Sequence, residues 1–159
     1  MHPHAAMRSL LAFAVLALTL GACAHVSDRA VTPAPIAPAA QVTAADLRQR
    51  METIQATIAT VEMKLAANTP MQAVTESQLI ASAFGDVERF WAQHNRADAV
   101  GWSRQARTRA AELAAAATVG DSVKAATALR NLTSTCTQCH AVYREGDAAS
   151  GFRVKPGVL

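Results

Sequence analysis

The sequence predicts an all-α fold, an antiparallel up-down four-helix bundle. Three observations predict it. From about residue 43 alanine dominates and β-branched runs are absent. Four stretches carry apolar residues at helical spacing. The connections between them are short, which favours antiparallel neighbours. The segment 43–145 is long enough for one hydrophobic core.

The first helix is expected from Thr43 to Ala67. Leu47, Met51, Ile54, Ile58, Val61 and Leu65 form its apolar stripe. Asn68-Thr69-Pro70 ends it, since proline lacks a backbone donor. The second helix is expected from Thr75 to His94, opened by a capping box of Thr75 and Gln78. Its stripe is Ile80, Phe84, Val87 and Trp91, with Leu79 and Phe90 beside it. Asn95 breaks this helix and stands where it could cap the next. The third runs from Ala97 to Ala117, with Ala99, Trp102, Ala106, Ala110, Leu113 and Ala117 inward. Gly120 turns the chain and Asp121 caps the fourth helix, which is expected to reach Glu145. The fourth stripe is Ala125, Leu129, Leu132, Cys136, Cys139 and Tyr143.

The N-terminus reads as a targeting segment. Arg8 precedes a short apolar run, Leu10 to Leu20, too short to span a bilayer. Leu20-Gly21-Ala22-Cys23 resembles a bacterial lipobox, which implies acylation of Cys23 after removal of residues 1–22. An ordinary signal peptide cut around Ala22-Cys23-Ala24 is the alternative. Several acyl chains would hold the protein on a membrane, where one chain is marginal. Ala24 in place of Asp implies the outer membrane of a Gram-negative cell. Either route ends in the periplasm. Residues 23–42, with Pro33, Pro35 and Pro38, read as an extended tether. The tail 146–159 carries three glycines and no period, and reads as loosely ordered.

Cys136-Thr137-Gln138-Cys139-His140 carries the chemistry. C-x-x-C-H is the spacing at which haem c is attached covalently, two thiols becoming thioethers and the imidazole an iron ligand. Residues three apart share a helix face, so both sulfurs reach one porphyrin edge. Zinc would need a second pair of ligands at suitable spacing, and the sequence has none. A thioredoxin-like dithiol would follow a strand, whereas a helical stretch precedes this one. Of three cysteines, two lie in the motif and the third is Cys23, so none remains for a disulfide.

A C-terminal C-x-x-C-H followed by Tyr143-Arg144, four alanine-rich helices, and Arg48 and Met51 on the first helix resemble the cytochrome c′ family and its low-spin relatives. The resemblance covers residues 43–145. It implies a haem c on the last helix, with its distal face toward the first helix. It implies Arg144 near the proximal imidazole of His140 and Tyr143 packed against the bundle, and it allows a homodimer. High-spin members leave the iron open, and low-spin relatives present a methionine. Met51 is the candidate sixth ligand. At the helical rise it lies about 12 Å beyond Thr43, and His140 lies about 7.5 Å before Glu145, heights that suit one haem. A Met on an apolar stripe also serves as core packing. Ile54 in its place would leave the iron open.

Other residues carry less. Met63 lies off the stripe, Met71 sits in a loop, and His94 ends a helix, where it serves as a cap or dipole partner. His25 stands beside the anchor. Trp91 and Trp102 read as core, and Arg104, Arg107 and Arg109 as a solvated face or a docking patch for an acidic partner. Without residues 1–22 the chain holds 14 Lys and Arg against 12 Asp and Glu, a net +2. Nucleic acid therefore has no electrostatic claim on it. The expectation is a lipid-anchored periplasmic cytochrome that carries single electrons between redox partner proteins. The alternative is an open haem that binds NO or CO. A peroxidase would need a distal base and a charge stabiliser, and no His–Arg pair lies on the first stripe, so no enzyme activity is expected.

Overall fold

A computed structural model describes residues 41–159. The expected targeting segment, Cys23 and nearly all of the expected tether lie outside the described residues. The described part is mostly helical, with four helices packed against one another.

Helix α1 spans Ala44–Ala66. Thr43 caps it: the Thr43 hydroxyl accepts the Asp46 N–H at 3.1 Å, and the Asp46 carboxylate accepts the Thr43 N–H at 2.8 Å. Asn68 ends it with φ 55°, a left-handed conformation that asparagine tolerates better than most residues.

Pro70–Ala73 then form a 3₁₀ turn that leads straight into α2, Val74–Gln93. The expected Thr75–Gln78 capping box does not form, and Ala73 is the N-cap. Pro70 and Ala73 are buried, so their packing starts the helix ahead of Thr75. Asn95 likewise does not cap α3. It takes φ 56° to end α2, and Arg96 precedes α3, Ala97–Thr118. Asp121 does cap α4, Ser122–Tyr143, accepting the Lys124 N–H at 2.9 Å.

The packing is uneven, and the unevenness makes the site. Helices α2 and α3 share the largest contact, followed by α3 with α4 and α1 with α2. Helices α1 and α4 barely touch. The α3 face is alanine-rich: Ala99, Ala106, Ala110 and Ala117 are all buried, which lets its neighbours approach closely. Phe90, Ile80, Leu113 and Leu132 fill the centre. Ser77 and Ser103 are buried within it, each hydroxyl donating to the carbonyl four residues earlier at 2.7 Å. On α1 the stripe divides. Leu47, Ile54 and Val61 are buried, while Met51, Ile58 and Leu65 are half-buried, Met51 and Ile58 lining the gap between α1 and α4.

The tail departs from expectation. Arg144 takes an extended backbone, so α4 stops at Tyr143 rather than Glu145. Arg144–Glu145 form strand β1, paired antiparallel with β2, Arg153–Val154. The Arg153–Glu145 ion pair at 2.7 Å and the Lys155 N–H bond to the Tyr143 carbonyl at 2.9 Å hold the return. Val154 and Val158 pack against the core. The glycines that suggested looseness make the turns. Gly146 has φ 87°, and a Cβ there would fall 2.2 Å from the Gly151 carbonyl oxygen. No helix among the described residues is long and apolar enough to cross a membrane.

Candidate functional site

Where α1 and α4 stand apart, a cavity of about 810 Å³ opens. Its volume falls within the range of about 300–1,000 Å³ usual for ligand and cofactor sites. Leu47, Arg48, Met51, Ile54 and Ile58 line it from α1. Cys136, Cys139, His140 and Tyr143 line it from α4. Phe84, Val87 and Trp91 of α2 and Trp102 and Ala106 of α3 make its floor. Phe152, Val154 and Leu159 of the tail add a further wall.

The residues singled out in the sequence therefore meet in one place. Both thiols are free and half-buried. The Cys136 thiol donates weakly to the Leu132 carbonyl at 3.5 Å. Burial raises the pKa of Cys136. Burial first, and then the negative charges of Asp98 and Cys136, push Cys139 up to about 12. Both are neutral thiols at neutral pH. An exchanging dithiol needs the opposite, a stabilised thiolate. His140 is held below its ordinary 6.5 by burial and then by the Arg144 charge, so its imidazole is neutral near pH 7 with a lone pair to give.

Tyr143 is more than a packed ring. It is buried, 4.7 Å from the Trp91 ring and 6.3 Å from that of Trp102. Its hydroxyl donates to both Asp98 carboxylate oxygens, at 2.7 and 2.9 Å. That hydrogen bond, opposed by desolvation and helped by the Ala99 N–H, holds Asp98 below 3.8. The same partner raises Tyr143 above 10. The sequence reading missed Asp98. Nothing local links it to a tyrosine 45 residues away.

Arg144 lies close enough to His140 to shift its titration, and its guanidinium sits 4.2 Å over the Phe152 ring. Trp91 is buried on the cavity floor, and its indole N–H has no partner among the described residues. Met63 and Met71 are exposed and do not line the cavity. His94 rests on the Phe90 ring at 4.6 Å, also off the cavity. Arg104 and Arg107 both pair with Glu88, at 2.8 and 3.2 Å, and Arg109 pairs with Glu112 at 2.8 Å. The α3 arginines are thus a solvated face laced by ion pairs.

Among the described residues no group of three or more His, Cys, Asp or Glu side chains is placed to hold a metal ion by itself. The cavity lining is largely apolar, and Cys136, Cys139 and His140 of one helix all border it. No family model, curated protein or solved structure matches the chain.

Proposed function

We propose that this chain is a monohaem c-type cytochrome of the cytochrome c′ type that carries single electrons. One observation carries the reading: Cys136, Cys139 and His140 on α4 and Met51 on α1 line the same apolar cavity. The residues fit a covalently held haem. Two neutral, half-buried thiols stand three residues apart on one helix face, where they would bond the macrocycle's edge. The neutral His140 imidazole would give its lone pair to the metal. Met51 would supply a soft thioether from the opposite wall. Arg48 and Arg144 line the cavity as cations, and the partnerless Trp91 N–H is a spare donor, so acidic substituents would find partners there.

The bound group would supply a one-electron couple. The protein's part would be to hold the His140 and Met51 side chains still and keep water away. Tyr143 anchors the motif's helix to α3 through Asp98, and Phe84 and Val87 of the floor and Ile54 of the α1 wall present apolar surface to the cavity. Short connections support an up-down arrangement, as do cross-links between opposite helix ends: Val42 N–H to the Gln93 side chain at 3.2 Å, and Ser122 to Asn68 at 2.7 Å. The targeting segment supports a periplasmic, lipid-anchored protein that meets redox partner proteins at the membrane surface.

A second reading has its own observation. Ile54 and Ile58 line the cavity from α1 alongside Met51. Should Ile54 face the metal, the distal position stays open and the protein binds NO or CO. The visible spectrum of the purified protein, ferric and ferrous, with and without CO, decides. A far-red methionine–iron band without CO response supports the electron carrier. A high-spin ferric spectrum with ready CO binding supports the gas binder, and no haem at all overturns both.

A further inference from the structure

One wall of the cavity comes from the C-terminal segment, and it is held differently from the helices. Its first part is fixed by the pairing of β1 with β2. Its last part is tied by Arg96, in the α2–α3 connection, whose Nε and Nη2 both donate to the Val158 carbonyl oxygen, at 3.0 and 2.5 Å. A guanidinium fork is a demanding donor, satisfied only when the carbonyl is held in its plane. The next residue, Leu159, lines the cavity. Yet Leu159 is 55 % exposed and Phe152 is 38 % exposed. Val154 and Val158 pack against the core, so what the Arg96 tie holds is the exposed end of this wall, at Leu159. Such segments open at a small fraction of the free energy of global unfolding.

We propose that Arg96 is a specificity-determining residue of the cavity. Its fork on the Val158 carbonyl keeps residues 158–159 closed against the cavity, and that end of the wall decides which small molecules enter from solvent. The wall belongs to the cavity itself. Only the identity of what it shields rests on the haem reading.

Trp91 and Trp102 are the chain's two tryptophans, and both line the cavity. Quenching of their fluorescence by acrylamide, a small neutral molecule, therefore reports entry. The full chain is prepared without haem, and Arg96→Gln is compared with the parent. A second variant, Gly146→Ala, disturbs the wall from its other end without touching Arg96, since the new Cβ meets the Gly151 carbonyl. Circular dichroism checks that the helices persist in each. The quenching constant should rise severalfold in every variant that keeps its helices. Parental quenching in such a variant would overturn the proposal. In the haem-bearing Met51→Ala chain, whose sixth position the haem reading leaves free, adding Arg96→Gln should raise the association and dissociation rates of imidazole together and leave its affinity unchanged, the signature of a gate. Unchanged rates there also overturn it. A chain that takes up no haem sinks the cytochrome reading and leaves the quenching result standing.

Discussion

The Tyr143 hydroxyl donates to the Asp98 carboxylate at 2.7 Å, tying the last turn of α4 to the first turn of α3. The tie lies one turn beyond His140, so it holds the end of the helix that carries the motif. It also makes stability depend on pH at both ends. Asp98 titrates below its ordinary 3.8 in the folded chain, chiefly because of the Tyr143 hydroxyl. Its contribution is complete above 3.8 and is lost as pH falls through the depressed value. Tyr143 titrates above its ordinary 10, so its contribution is complete below 10 and is lost as pH rises through the raised value. Tyr143→Phe should lower the melting temperature at neutral pH by several degrees. The variant's curve should approach the parent's at the acid and alkaline extremes. Asp46, Glu76 and Asp121 are depressed as well, so both proteins still lose stability in acid. Melting curves that stay parallel at every pH would refute the tie.

Covalent attachment predicts a clear result for the thiols. Haem should stay with the parent chain on a denaturing gel and show by its peroxidase stain. Cys136→Ser and Cys139→Ser should each keep one thioether and a weaker stain, and the double variant should keep none. The helices should survive these changes, because both side chains are half-buried and border the cavity rather than the central core. A double variant that still stains would mean attachment elsewhere.

Met51 separates the two functional readings. Met51→Ala should abolish the far-red band, admit CO to the ferrous protein and lower the reduction potential, because His/Met ligation raises it. Ile54→Ala should leave the band in place. If Met51→Ala keeps both the band and the potential, the sixth ligand is another residue. If Ile54→Ala is the change that alters CO binding, the open-site reading takes over.

Much of this was legible in the sequence for a physical reason. Helix periodicity, the C-x-x-C-H spacing and the Asp121 cap are local, and local patterns can be read before it is known which elements meet. The four helices therefore lie within a few residues of expectation. The misses are non-local or compete with a second signal. Thr75–Gln78 has the pattern of a capping box, but the burial of Pro70 and Ala73 starts the helix earlier. Asn95 can cap a helix or end one, and here it ends α2 with a positive φ. The tail's glycines read as looseness, whereas its order comes from partners on other elements, Arg96 and Tyr143 among them. Asp98 is the same case, since its partner is set by how α3 meets α4.

The division of the α1 stripe yields a prediction that couples folding to the cofactor. Leu113 is fully buried in the helical core, away from the cavity. Leu113→Ala should cost about 2–5 kcal/mol. Ile58 is half-buried and borders the cavity, so in the haem-free chain Ile58→Ala leaves little new void and should cost less. A haem between α1 and α4 would cover Ile58 and restore its burial. The cost of Ile58→Ala should therefore rise in the haem-bearing protein, while that of Leu113→Ala stays the same. Urea unfolding of both variants, with and without haem, measures all four differences. An Ile58→Ala cost that is equal in the two forms would mean that the cofactor does not lie against this face of α1, and Met51, about two turns earlier on the same stripe, would lose its claim to the metal with it.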